Sequence, residues 1–230
     1  MPSIGRLRRG FALLCLLLAP VAHAIEPYSC RNGFFPAFAG QVRPAEVVAG
    51  AGERIHFRDD AVGCPEAEAC LRKAYLVEGD QVLVGNETGD WSCVWYFGPT
   101  REFVGWFPAA GLEVHASTPA ATGSWVGRWA PTAGDNRLVI SHDPTAGALN
   151  VEGEAFWQGG LNGYGEQIVH LGAVHGQGKP VADLLTISEG EDEYACQVTL
   201  QYVADALVVT DNSRCGGMNV RFDDIYRKQP

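Results

Sequence analysis

This chain nowhere sustains a long apolar repeat of helical period. Its apolar residues come in short runs, each broken by glycine, proline, asparagine or aspartate. That pattern confines it to an all-β fold, because a strand needs only four to eight residues of alternating character while a helix needs a longer periodic face. The second half shows the spacing best. Strand signals fall at Ser124–Trp129, Arg137–Ser141, Ala148–Trp157, Gly165–Leu171, Ala182–Ile187, Tyr194–Tyr202, Ala206–Thr210 and Asn219–Arg227, with turn residues between them. Eight short strands in about 100 residues predict an antiparallel up-and-down meander, closed as a barrel or folded as a sandwich.

The most legible stretch of the first half is Ala74 to Val114. Val82 and Val84 alternate with Gln81 and Leu83, and Trp91, Cys93 and Trp95 alternate with Ser92, Val94 and Tyr96. The polar tract Asn86 to Asp90 between them reads as a hairpin loop. A third strand, from Glu102, ends at Pro108, which has no N–H to donate to a ladder. Short strands, one tryptophan after the central turn, then Gly105-Trp106-Phe107-Pro108, a tight turn and Leu112 resemble a bacterial SH3-like small barrel. The resemblance covers about 40 residues. It implies recognition of peptides or cell-wall material by aromatic side chains on one face, with Trp91, Trp106 and Pro108 bordering the groove. The competing reading puts these aromatics in the core, since a small barrel needs large side chains to fill it.

In the second half, Gly127-Arg128-Trp129 opens the first strand and Arg227 lies on the last. This is similar to the calycin pattern of lipocalin-like barrels, where a G-x-W tryptophan packs under a basic residue from the final strand. The resemblance implies that closure brings Trp129 and Arg227 together as a cation–π pair. The ending Asp211 to Phe222 resembles the closing hairpin of small exported bacterial barrels, some of which inhibit lysozymes. The expected fold is therefore all-β: an N-terminal SH3-like small barrel (residues 25–117), a linker (118–123) rich in small residues, and a C-terminal eight-stranded antiparallel meander barrel (124–230).

Residues 1–24 read as a secretory signal peptide. Arg6, Arg8 and Arg9 precede an apolar run from Phe11 to Leu18, and Ala22-His23-Ala24 supplies the small-x-small cleavage pattern. The apolar run is too short to span a bilayer. Cys15 follows Leu14 where a lipoprotein signal wants a small residue, so a lipid anchor is not expected. Cleavage removes three arginines and no acids, moving the formal charge from −10 to about −13. Such an acidic product is a poor ligand for nucleic acid, whose phosphates need lysine and arginine. It suits encounter with basic proteins. The expected location is periplasmic or secreted.

Six cysteines remain: Cys30, Cys64, Cys70, Cys93, Cys196 and Cys215. An even set in an exported chain reads as disulfides, and zinc-ligand spacing is absent. With four in the first half and two in the second, Cys196–Cys215 follows by elimination. The first four admit three pairings, of which Cys64–Cys70 with Cys30–Cys93 closes the smallest loop.

A search for reactive chemistry assembles no centre, and neither cofactor nor metal is expected. No Gly-x-Ser-x-Gly elbow occurs. His142 and Asp143 are adjacent and on a strand would face opposite ways. His170 and His175 are separated by Gly172, which with Gly176 is expected to interrupt a shared strand. Glu152 and Glu154 share a strand face and would suit a glycosidase pair, but Val151, Gly153, Ala155 and Trp157 take the other face, so the glutamates are expected to face water. The acidic turn Glu189 to Glu193 lacks the alternation of a calcium loop. The loop from Trp157 to Tyr164 joins aromatic rings, Asn162 and glycines in a composition suited to sugar or protein contacts. These features predict a non-catalytic binding protein whose partners are peptidoglycan fragments or a basic cell-wall hydrolase. A small-ligand carrier using a cavity behind Trp129 and a cell-wall glycosidase using Glu152 and Glu154 are the alternatives.

Overall fold

The computed structural model describes residues 29–144 and 147–230. Residues 1–24, which the sequence reads as a signal peptide, lie outside the described residues. Fifteen strands form two antiparallel sheets. The first contains β1 (Arg43–Val47), β2 (Ile55–Arg58), β3 (Leu71–Leu76), β4 (Gln81–Thr88), β5 (Trp91–Phe97), β6 (Glu102–Pro108) and β7 (Leu112–Val114). Its order is β3-β2-β6-β5-β4-β1-β7. The second contains β8 (Gly127–Pro131), β9 (Arg137–His142), β10 (Leu149–Leu161), β11 (Gln167–Gly178), β12 (Leu184–Ser188), β13 (Gln197–Val203), β14 (Ala206–Asp211) and β15 (Asp224–Lys228). Its order is β11-β10-β9-β8-β15-β14-β13-β12, a meander in which the last strand lies beside the first. All eight strand signals of the second half correspond to strands here. The first starts late, because Thr122–Trp125 forms one helical turn (α1) and β8 begins at Gly127.

The eight-stranded sheet curls into a nearly closed barrel. Its inward positions follow the period of two and fill the interior with Leu138, Ile140, Val151, Leu185, Ile187, Val198, Leu200, Leu207, Val209 and Tyr226. Trp125, Trp129 and Phe222 pack into the same core. Glycines on β11 explain how the two ends of the sheet meet. Gly172, Gly176 and Gly178 occupy inward positions, opposite Ala155, Val151 and Leu149. A Cβ at Gly178 would lie 2.7 Å from the Leu185 side chain, and one at Gly172 would lie 2.4 Å from the carbonyl oxygen of Cys215. Removing these side chains lets β12 and the Cys215 segment lie against β11. The glycines therefore continue the strand instead of interrupting it, and His170 and His175 share β11. The seam itself is made by single contacts. Ala173 N–H donates to Cys215 O at 3.1 Å, Gly217 N–H donates to Leu171 O at 3.0 Å, and His175 N–H donates to the Glu189 carboxylate.

The seven-stranded sheet is apolar on both faces. Val82, Val84, Val94 and Phe107 point to its own core with Ala45, Val47, Phe57 and Leu76. The alternating set Leu83, Cys93, Trp95 and Trp106 points the other way, onto Val203, Ala206 and Val208 of the barrel and onto Ile225 of its last strand. Phe35, fully buried in the 3-10 turn Phe35–Phe38, wedges between the two sheets, 5.5 Å from the Trp95 ring. The sequence from Gly33 to Gly40, aromatic residues bounded by glycines, reads as a cover over the open end of the first barrel; in the structure this loop seals the junction between the two sheets. Burial of each such ring stabilises the junction by roughly 1.5–3 kcal/mol. Tyr28-Ser29-Cys30 reads from the sequence as an edge strand, but Ser29 and Cys30 form none. The Ser29 amide is held by Asp60 Oδ1 at 3.2 Å, and Tyr28 lies outside the described residues.

The disulfides are Cys30–Cys93, Cys64–Cys70 and Cys196–Cys215. Three such bonds belong to an oxidising, extracytoplasmic environment. Among the described residues, no helix is long and apolar enough to cross a membrane.

Candidate functional site: a projecting ribbon at one end of the barrel

β10 and β11 are 13 and 12 residues long, against five to seven for the other barrel strands. β9 pairs with β10 only as far as Glu154, opposite Arg137. Beyond Glu154 β10 pairs with β11 alone, so the two strands run on as a ribbon, whose base at Ala155 and Trp157 still packs on the barrel core and whose outer part, from Gln158 to Leu161, lies past it. A two-stranded ribbon is marginal on its own, and this one is braced along its length. Asn136 Oδ1 accepts from Phe156 N–H at 2.9 Å, and Gln158 Nε2 donates to Asp135 Oδ2 at 2.7 Å. On the other edge, Met218 O accepts from His170 Nδ1, and Gly216 bridges Gly172. Gln167 Nε2 crosses the ribbon to Gly159 O. The Trp157 ring stacks on His170 at 4.9 Å and lies over Gly159, where a Cβ would sit 2.6 Å from the indole.

The tip is equally ordered. Asn162 Oδ1 accepts from the amides of Tyr164 (2.9 Å) and Glu166 (3.0 Å), and its Nδ2 donates to the Glu166 carboxylate at 3.0 Å. Gly165 takes φ +81°, a conformation the turn reserves for glycine. The polar side chains Asn162, Gln158 and Gln167 therefore spend hydrogen bonds on the ribbon itself. Gln158, Glu166 and Gln167 are themselves exposed, and beside them stand large apolar side chains. Tyr164 is 92% exposed, Leu161 67%, Leu171 62% and Val169 45%, with Met218 beside them at 74%. Between Phe156 and Leu171 the only formal charge is Glu166. Large apolar side chains gathered on one element make the ribbon the candidate contact surface.

Of the sequence candidates, the ribbon brings together Trp157, Asn162 and Tyr164, with distinct roles: Tyr164 is presented, Asn162 shapes the turn and Trp157 is half-buried against the barrel core. Leu161, Val169, Leu171 and Met218 are not singled out by the sequence. Their signal was the length of the alternating run on either side of Asn162, hidden by the glycines within it.

The proposed groove on the seven-stranded sheet does not form as expected. Trp106 is fully buried at the junction with the barrel, and its Nε1 donates to Asp60 Oδ1 at 3.1 Å. Asp60 also pairs with Arg31 at 3.1 Å, so the tryptophan ties down a buried carboxylate and borders no groove. Trp91 and Pro108 face each other in register, half-buried, with the Arg58 guanidinium 5.5 Å above the indole.

The closure pair also differs. Lys228, not Arg227, lies opposite Trp129 in the β8–β15 ladder, with its Nζ 5.4 Å from the ring centroid. Arg227, one residue earlier, points to the outside by strand alternation and stacks on Phe97 of the other sheet at 4.3 Å.

Glu152 and Glu154 project from the outer wall, as their alternation predicts. Glu154 forms an ion pair with Arg137, and Glu152 lies in register between Val139 and His175 beside a shallow cleft of about 420 Å³. A separate group of carboxylates lies where β6 meets the barrel. Burial, reinforced by the neighbouring Glu102 and Asp223 carboxylates, pushes Asp224 up to about 6. Burial also raises Glu102 and Asp223. Thr132 Oγ1 donates to Glu102 across the junction. Among the described residues, no group of three or more His, Cys, Asp or Glu side chains is placed to hold a metal ion.

No protein-family model, curated protein or solved structure matches this chain.

Proposed function

We propose that this is a non-catalytic protein of the periplasm or the secreted fraction that binds another protein through the β10–β11 ribbon, and that its partner is a cell-wall hydrolase which it inhibits. The ribbon carries this reading. Its apolar side chains stand in solvent on a scaffold that its own amide side chains help to order. Rigid apolar and aromatic anchors favour protein contact, because little ordering entropy is lost on binding. This weighs toward a protein partner and away from peptidoglycan fragments. The three disulfides support an exported location.

Two further relationships belong to the same proposal. The order of β6, a 3-10 turn at Ala109–Gly111 and β7 supports an SH3-like reading of the first sheet. The meander with β15 beside β8, and a basic residue over Trp129, supports a calycin-like reading of the barrel. The filled interior around Trp129 weighs against a small-ligand carrier. The Arg137–Glu154 pair on an open wall weighs against a glycosidase.

The test is a lysozyme activity assay with added protein, beside a sedimentation assay on purified peptidoglycan. Inhibition without retention on peptidoglycan is expected. Retention on peptidoglycan without inhibition would replace the protein partner with a glycan, and the absence of both inhibition and retention would remove the binding reading altogether.

A further inference from the structure

The meander sends every second connection to the same end of the barrel. The end from which the ribbon rises therefore also carries the β8–β9 turn, the β12–β13 turn and the segment between β14 and β15. Their exposed carboxylates are Asp135 on the first turn and Glu189, Glu191, Asp192 and Glu193 on the second, with Glu166 at the ribbon tip. The facing cations are few. Arg137 is paired with Glu154, Arg214 lies over the Tyr194 ring at 4.9 Å, and Arg221 donates to the carbonyl of Val220. The acidic turn is fixed against the ribbon strand, since Glu189 accepts from the backbone of His175 on β11. A nearly chargeless apolar finger thus rises from an acidic collar. This is the anatomy of an interface with a desolvated centre and a charged rim.

Building on the reading of the ribbon as a protein-contact element, we infer that its partner is a cationic protein with an open cleft: the ribbon seats in the cleft and the collar at Asp135 and Glu189–Glu193 meets basic residues on its rim. The collar steers the encounter and the ribbon holds the complex, so the two parts act on different rate constants. Rim charges change association and its salt dependence, while buried apolar anchors change dissociation.

Surface plasmon resonance on the intact exported chain tests this. A c-type lysozyme, which is basic and has an open cleft, is one analyte. Cytochrome c, basic but without such a cleft, is the other. Lysozyme is expected to bind and cytochrome c to bind far more weakly. The variant Glu191→Gln/Asp192→Asn/Glu193→Gln should slow lysozyme association about tenfold at low salt, flatten its salt dependence and leave dissociation unchanged. The variant Leu161→Ala/Tyr164→Ala should speed dissociation at least about tenfold with association little altered. Both sets of positions are solvent-exposed, and circular dichroism checks that each variant keeps the fold. Equal binding of both basic proteins overturns the cleft. Loss of binding in the ribbon variant with no change in the collar variant overturns the collar while leaving the ribbon reading intact. Absence of lysozyme binding to the parent overturns the inference and the proposed partner together.

Discussion

The side chain of Gln201 pairs with the backbone of Val42 as a neighbouring strand would: its Nε2 donates to Val42 O at 2.8 Å and its Oε1 accepts from Val42 N–H at 3.2 Å. The same Oε1 accepts from Gly40 N–H at 2.8 Å, and Nε2 also donates to Asp183 Oδ2 at 2.9 Å. Gln201 is on β13 of the barrel and is 1% exposed, while Val42 leads into β1 of the other sheet. One amide therefore bonds three backbone groups of the segment leading into β1, where Val42 is buried and its carbonyl also accepts from Ser117 Oγ at 3.3 Å. It fixes the register between the two sheets, a task for which the apolar contacts around Phe35 and Trp95 have no directional preference.

Replacing Gln201 by leucine keeps the volume and removes all four bonds. Buried backbone groups left unpaired make such a change costly, and a loss of about 2–4 kcal/mol is expected. Urea unfolding measures it, and hydrogen exchange at the Val42 amide should accelerate in parallel. A cost under about 0.5 kcal/mol would mean that packing alone sets the junction.

Asp224 makes a prediction about pH. Its carboxyl titrates at about 6 in the folded chain and near 3.8 when unfolded. Between those values the folded state holds a proton that the unfolded state has released. This contribution to stability is therefore complete at low pH and lost as pH rises through about 6. Asp224→Asn, whose Oδ1 can still accept from Ile225 N–H, escapes the loss. Relative to the parent, it should be unchanged near pH 4 and more stable by about 1–2 kcal/mol above pH 7. Chemical denaturation of both proteins across that range measures the difference. A gap that does not widen with pH would show that Asp224 titrates normally.

The exchange of roles between Arg227 and Lys228 shows how far sequence reading reaches. Strand alternation fixes which of two adjacent residues faces inward only once the register is known, and the register is set by the β8–β15 ladder, where Trp129 meets Lys228. The eight strand signals were legible because each rests on its own local pattern. The sequence offers Trp106 both a groove and a core position and does not decide between them, since in a strand with apolar residues on both faces alternation does not tell a groove from an interface. Gln201 was invisible, and the surface that Phe35 covers was misplaced, for a related reason: their partners lie on the other sheet, beyond the reach of any local pattern. The ribbon loop was marked by its composition, but its extension past the β9 ladder follows from where β9 begins, at Arg137, just after Asn136 accepts from Phe156 N–H.

The two neighbouring cations should separate cleanly on mutation. Lys228→Ala removes both the cation over Trp129 and the bond from Nζ to Ser124 O at 2.9 Å, and should cost about 1 kcal/mol with a change in near-ultraviolet circular dichroism. Arg227→Ala should leave the Trp129 signal as it is, because its guanidinium rests on Phe97 instead. The reverse pattern would restore the pairing that the sequence suggests.

The ribbon depends on a clamp at its base. Cys196 holds Cys215, and the residues just after Cys215 pair with β11 at Gly172, directly below the exposed part of the ribbon. Two substitutions attack that clamp differently. Cys196→Ala/Cys215→Ala frees a loop of 19 residues and should cost about 3 kcal/mol, chiefly by enlarging the unfolded ensemble. Gly172→Ala keeps the disulfide but places a methyl 2.4 Å from Cys215 O and 2.7 Å from the Val220 side chain, contacts that only a shift of the backbone relieves. It should cost about 1–3 kcal/mol and prise the segment from β11. Hydrogen exchange at Ala173 and Gly217, whose amides make the clamp, should rise in both variants, and most in the second relative to its global stability. If lysozyme binding follows that local opening and not the global loss, the ribbon acts as an element held in place by its base. If binding is unaffected while both amides exchange freely, the ribbon keeps its shape through the Asn136, Gln158 and Gln167 braces alone.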